Sequence, residues 1–261
     1  MPDVSIRPLA VVTGASAGLG KTFARRLAEH GHDVILVARD AERLAALASE
    51  LNAAHGTLCE PWPADLARDA DVDRLVARLN SDGRLVMLVN NAGFGTTKAL
   101  ARAEPAGQEG MVRLHCLTPM RLTQAALPGM LERKRGTIIN VSSVASFAGS
   151  PGNVNYCATK AYLRVFSETL AMECAGRGVE VQALCPGFTY TEFHDRIAFD
   201  RGRIPAWLWM SAESVIDTSL AQAARGGSPV CIPGLKYKLI VFLLKNFSWV
   251  LGPLRGRHRR D

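Results

Sequence analysis

Hydrophobic positions along the chain follow two alternating patterns. Unbroken apolar runs recur at 9–13 (LAVVT), 33–38 (DVILVA), 85–93 (LVMLVNNAG), 136–143 (GTIINVSS) and 179–187 (VEVQALCPG), each ending in polar or glycine residues. Short runs bounded in this way predict strands buried on both faces. Between them lie amphipathic stretches: 21–31 (KTFARRLAEHG, closed by Gly31), 41–56, 68–83, 109–130 and 156–176, the last closed by Gly176 and Gly178. The segment 57–65 (TLCEPWPAD) leads from strand into loop, 211–226 is a helix with Ser211 as its cap, and 228–234 (SPVCIPG) is a final edge strand. Strands and helices alternating at these lengths imply right-handed βαβ crossovers and a doubly wound parallel sheet, an α/β fold.

Composition narrows this to one unit. The chain has 261 residues, 48% hydrophobic and 21% charged, and no linker, repeat or low-complexity tract divides it. A single domain over 1–234 is expected, followed by a basic amphipathic tail at 235–261. The opening MPDVSIRPLA lacks a signal peptide's charged start and apolar run, and no stretch reaches the ~18 apolar residues of a spanning helix. The six cysteines show neither a CxxC pair nor zinc spacing, so reduced thiols, no metal site and a cytoplasmic location are expected. Cys157 adjoins Tyr156, but adjacent helix residues diverge by about 100°, which makes packing its role. The net charge of +7 is concentrated in the terminal RGRHRRD, with Arg255, Arg257, Arg259 and Arg260. No interleaved aromatic platform accompanies it, which argues against nucleic acid.

The chemistry centres on 140–160, NVSSVASFAGSPGNVNYCATK. Tyr156 and Lys160 are four apart and share one helix face. A nearby ammonium favours the phenolate, so this pair is expected to lower the phenol pKa from its usual value near 10 and make a general acid/base. Ser143 follows a buried strand, at the end where catalytic groups of open parallel sheets gather. At the other end of the chain, the strand 9–13 runs into GASAGLG and an amphipathic helix. Glycines there let the backbone approach a pyrophosphate, and the helix N-terminus offers free N–H groups and a positive dipole end.

Ser143, Tyr156 thirteen residues on and Lys160 four further, together with TGASAGLG at 13–20 and NNAG at 90–93, resemble the short-chain dehydrogenase/reductase family of the TGxxxGxG type. The resemblance implies a Rossmann-like single domain, its cofactor half at about 8–95 and its catalytic and substrate half at about 96–234. It assigns the phosphate turn to Gly14, Ser16, Gly18, Leu19 and Gly20, and adenine contacts to Asp65 and the backbone of Leu66. Asn90 is to hold the central strand and the ribose region, and Thr189 and Thr191 the nicotinamide amide. Relatives that prefer NAD end the second strand with an acidic residue, whereas this chain has Ala38 and then Arg39. A guanidinium pairs with a 2′-phosphate that a carboxylate would repel, so NADP(H) is expected ahead of NAD(H); the bland alternative is an Arg39 that only faces water.

One family position departs. The asparagine that seats a relay water falls here on His115, which either serves the relay or simply packs. Residues 188–210 match the family's substrate lid and are rich in large apolar groups (Phe188, Tyr190, Phe193, Phe199, Trp207, Leu208, Trp209 and Met210). This implies a lipophilic ketone or alcohol of acyl or steroid-like type as the small-molecule partner. The expected function is NADPH-dependent reduction of such a carbonyl by Ser143, Tyr156 and Lys160. The alternatives are NAD-dependent alcohol oxidation and a non-catalytic NADP(H)-binding regulator. The tail alternates lysines with apolar residues and suits packing within a homo-oligomer, dimer or tetramer, or contact with an anionic membrane surface.

Overall fold

The computed structural model describes residues 7–196 and 200–246; Phe199 of the lid and the arginine-rich end of the tail lie outside the described residues. Seven parallel strands form one sheet: β1 (Leu9–Thr13), β2 (Asp33–Ala38), β3 (Cys59–Pro63), β4 (Leu85–Asn90), β5 (Gly136–Val141), β6 (Val179–Leu184) and β7 (Val230–Cys231). Their spatial order is β3-β2-β1-β4-β5-β6-β7. The chain therefore winds outward from β1 to β3, returns to β1's other side at β4, and winds outward again. The reversal between β1 and β4 opens a crevice at the carboxyl ends of the strands, where such sheets bind ligands.

The unbroken apolar runs are explained by covering on both faces. Ala10 and Val12 of β1 face one core layer with Phe23, Leu27 and Leu44, under α1 (Gly18–Glu29) and α2 (Ala41–His55). Leu9 and Val11 face the other layer with Leu75, Leu88 and Leu122, under α3 (Asp69–Ser81) and the helices that follow β4. Alternate residues thus serve opposite cores, and burying each such side chain contributes about 1.5–3 kcal/mol.

The stretch 109–130 is not one regular helix. It divides into α4 (Pro105–Val112), a π-helical turn (Arg113–Leu117) and α5 (Thr118–Glu132). Pro119 has no N–H to give to the carbonyl four residues back, at His115, and the preceding Thr118 N–H reaches five residues back to Arg113 O instead. The Thr118 hydroxyl donates to Leu66 O at 2.7 Å, fixing the turn against the loop after β3. Single π turns inside helices are often found at functional sites, and this one carries His115.

After α6 (Val154–Cys174) and β6, the chain passes through α7 (Glu192–Arg196) and returns to the body, where Thr189 and Met210 form a parallel bridge that pins the lid's two ends. Helix α8 (Ala212–Arg225) begins at Ser211, whose hydroxyl accepts from Ser214 N–H. Helix α9 (Leu235–Asn246), placed in the tail by sequence, is part of the body: Tyr237 and Val241 are only 2% and 3% exposed, and Tyr237, with Ile240 packed against that layer, belongs to the core under α1 and α2.

Candidate active site

Ser143, Tyr156, Lys160 and His115 come together at the carboxyl end of β5. Ser143 ends the strand in extended conformation and its Oγ accepts from Ala145 N–H at 3.1 Å, which caps the short helical turn Val144–Phe147. Helix α6 then presents Tyr156 and Lys160 one turn apart. The Tyr156 hydroxyl is hydrogen-bonded to Ser143. The Lys160 Nζ lies 5.8 Å from the Tyr156 ring centroid and donates to Val141 O at 2.7 Å. A further bond, from the Ser142 hydroxyl to Lys160 O at 2.6 Å, locks this turn of α6 to the end of β5.

Burial dominates the protonation of this pair. It pushes the Tyr156 phenol up to about 12, against the hydrogen bond to Ser143, and pulls the Lys160 ammonium down to about 8. The sequence expectation of a lowered phenol pKa is therefore reversed here: desolvation of the phenol outweighs the hydrogen bond to Ser143, while Lys160 Nζ is hydrogen-bonded to the Val141 carbonyl. At neutral pH the phenol holds its proton, which is the state a general acid needs.

His115 is 0% exposed. Its Nε2 accepts from Phe94 N–H at 3.1 Å, which leaves Nδ1 as the protonated nitrogen, 3.0 Å from Thr159 Oγ1. Thr159 Oγ1 in turn donates to the backbone carbonyl of Tyr156 at 3.1 Å. Both ring nitrogens are thus engaged by the protein, and burial holds the imidazole well below its usual pKa, neutral. The arrangement braces the turn after β4 against the catalytic helix. A Cβ on Gly93 would sit 2.8 Å from His115 Nε2, so glycine is required where that turn passes the ring.

The glycine turn has the close-packed backbone geometry that a dinucleotide's pyrophosphate needs. Gly14 has φ of +68° and Gly18 of +53°, and a Cβ on Gly20 would lie 2.1 Å from Gly14 O. The following α1 has no side-chain cap at Ala17 and no acidic residue in its first turn, so its N-terminal N–H groups and dipole face the crevice uncompensated. Ser16 and Leu19 are half-buried in the turn, and Leu19 packs on the core. Arg39 stands exposed just past β2 with no ion pair among the described residues. Asp65 is half-buried after β3 with Oδ1 accepting from Ala67 N–H, and Leu66 is buried beside it. These groups fit a phosphorylated dinucleotide laid across β1.

The remaining sequence candidates sit differently from one another. Asn90 is buried, and its amide donates to Asn140 Oδ1 at 2.8 Å and to Thr123, tying β4 to β5. Its neighbour Asn91, not singled out by sequence, is the residue at the crevice: its side chain donates to Thr13 O at 2.8 Å, and Thr13 Oγ1 accepts from Asn91 N–H. The doubled Asn of NNAG was the available signal. Thr189 is buried with its hydroxyl turned to Gly187 O, while Thr191 lies against the glycine turn, 3.2 Å from where a Gly18 Cβ would be.

Aromatic rings wall Tyr156 and His115. Phe94 meets His115 at 5.7 Å between centroids, His115 meets Tyr156 at 6.1 Å, and Phe193 meets Tyr156 at 5.9 Å. Within the lid, Phe188, Trp209 and Met210 pack inward, and Tyr190 stacks on Trp209 at 4.9 Å. The loop between is held from below by Tyr237. Its hydroxyl donates to Leu208 O at 2.7 Å and accepts from Phe188 N–H at 2.9 Å, and its ring occupies the space a Gly187 side chain would need.

A fold and site of this kind define a nicotinamide-dependent oxidoreductase, and comparison with known proteins makes the assignment specific. The family described as short chain dehydrogenase matches residues 8–201, and the chain belongs to that family. It is an oxidoreductase of alcohol and carbonyl groups. A short-chain dehydrogenase from Sphingobium yanoikuyae, solved in complex with NADPH, is 33% identical with a TM-score of 0.84, covering 97% of this chain and 98% of that one. A bulky-bulky ketone specific alcohol dehydrogenase from Comamonas testosteroni is 30% identical with a TM-score of 0.80, covering 97% of each. A very-long-chain 3-oxoacyl-CoA reductase from Phaeosphaeria nodorum is 31% identical over 95% of this chain and 76% of its own.

Proposed function

We propose that this chain is an NADPH-dependent reductase of bulky, lipophilic ketones. The observation that carries the reading is the Tyr156 hydroxyl bonded to Ser143, with Lys160 Nζ against the Tyr156 ring and the rings of His115 and Phe193 on either side of it. NADPH supplies the hydride. The uncapped start of α1, with Gly14, Gly18 and Gly20, holds its pyrophosphate, and Arg39 its 2′-phosphate. Asp65 and Leu66 border the adenine, and Thr191, with Thr189 behind it, the carboxamide. Asn90 keeps β4 and β5 in register beneath them.

Ser143 orients the carbonyl oxygen and Tyr156 gives its proton to that oxygen as negative charge develops. A phenol held near 12 keeps its proton until the alkoxide forms. The Lys160 charge, beneath the ring, stabilises the phenolate left behind. His115 acts as a neutral brace that sets where Tyr156 stands relative to the turn after β4. Rings on both sides exclude water and accept a large apolar substituent. The relatives support this class: one was solved with NADPH, one is specific for bulky-bulky ketones, and one is a very-long-chain 3-oxoacyl-CoA reductase.

A second subunit fits the outer face of α6. Val154, Val165 and Met172 are exposed and lie along one line of that helix, an apolar stripe suited to a homodimer.

Fluorescence titration with NADPH and NADH tests the cofactor reading. Wild type is expected to bind NADPH at least tenfold more tightly, and Arg39→Asp to reverse the preference. Equal binding of both by wild type would remove Arg39 from the account and favour alcohol oxidation.

A further inference from the structure

Helix α9 is apolar on two opposite sides. Its inner side buries Tyr237 and Val241, and Tyr237 belongs to the core. Its outer side carries Leu235, Leu239 and Leu243, which are 83%, 59% and 43% exposed and fall on one line, four residues apart. Lys238 and Lys245, seven apart, run along one flank of the leucine line, and both are exposed. On the other flank Lys236 is bound by the backbone oxygens of Trp207 and Trp209. The leucine line therefore adjoins the lid, where Trp207 is 64% exposed.

Charge selects the partner. No acidic residue occurs from Thr218 to Arg260, and the last 27 residues hold seven Lys and Arg against one Asp, nearly all of the net +7. Two copies meeting through this face would bring two such segments together, at a cost in like-charge repulsion. Leucines give no stacking surface for bases. A leucine line edged by lysines, and followed by a basic segment, is the pattern of a helix lying in the interface of an anionic membrane. No helix among the described residues is long and apolar enough to cross one.

We infer that α9 docks this enzyme on anionic lipid, its leucines in the headgroup–acyl boundary and its lysines on the headgroups, with the lid turned to the surface that dissolves lipophilic ketones. The docking does not depend on the reaction proposed above and is tested without turnover. Full-length protein is sedimented with phosphatidylcholine vesicles, with and without phosphatidylglycerol. Tight binding only with phosphatidylglycerol is expected. Lys238→Ala with Lys245→Ala should weaken it roughly 20-fold, and added salt should weaken it further. Leu239→Glu with Leu243→Glu should weaken it more than about 100-fold at any salt, with NADPH affinity and melting temperature unchanged. Absence of binding to anionic vesicles would overturn the inference. So would leucine variants that bind as well as wild type, tighter binding to duplex DNA than to vesicles, or a dimer that Leu239→Glu converts to monomer.

Discussion

At the scale of single residues, the site is governed by burial more than by the pairwise attraction its spacing suggests. That Ser143, Tyr156 and Lys160 come together was legible in sequence, because their separations are fixed along one strand end and one helix. Their protonation was not, because desolvation depends on what other segments bring. The phenol is pushed up to about 12 and the ammonium down to about 8, so the two directions of reaction should respond differently to pH. Ketone reduction is expected to be flat across neutral pH, and alcohol oxidation, which needs the phenolate, to rise through the alkaline range; initial rates in both directions check this. The folded pKa of Lys160 lies below its ordinary 10.5, so the folded state binds fewer protons and stability rises with pH from about 8 to 10.5. Lys160→Met should therefore melt higher than wild type at pH 7, by at most about 3 kcal/mol, and the difference should shrink above pH 8. His115, which the resemblance sets at the family's asparagine position, has both nitrogens engaged by the protein, and in the function proposed above it has the part of a brace. His115→Ala is expected to cost about 3 kcal/mol of stability and to slow turnover, His115→Asn to recover part of both, and wild type to show no kcat inflection near pH 6.5 from this ring.

At the scale of elements, strands and glycine turns were readable and two features were not. The strands declare themselves by unbroken apolar runs, since helices cover both faces of the sheet. The π turn at Arg113–Leu117 is hidden because its apolar spacing continues that of the flanking helices; only the Thr118–Pro119 pair marks it, through a missing N–H. Helix α9 is hidden for a different reason: an apolar pattern on both sides does not say which side meets the core. Its Tyr237 is the link between tail and active site, holding Phe188 and Leu208 from beneath. Tyr237→Phe leaves the Phe188 N–H without that partner, at a cost of about 1–3 kcal/mol. Steady-state kinetics should show KM for cofactor and substrate rising several-fold with kcat less affected. Gly20→Ala would drive a Cβ into Gly14 O, so isothermal titration of that variant should find no NADPH binding.

At the scale of the whole molecule, the sheet's reversal between β1 and β4 gathers residues from distant segments at one edge. Arg39 comes from the end of β2, Asn91 from the end of β4, the catalytic group from β5 and α6, and the lid from beyond β6. Motif spacing singled out most of these, but not Asn91 or Phe94, whose positions are set by contacts across the crevice. The stripe on α6 predicts that the protein is a dimer by light scattering and that Val165→Glu with Met172→Glu makes it monomeric. The central claim is that Tyr156 delivers the proton to a reduced ketone. Its most direct test is NADPH oxidation with a bulky aromatic or long-chain ketone, by wild type and by Tyr156→Phe, with NADPH affinity measured alongside. A fall in kcat of roughly 1,000-fold with NADPH still bound is the predicted result. Tyr156→Phe turning over at a rate near wild type would contradict it.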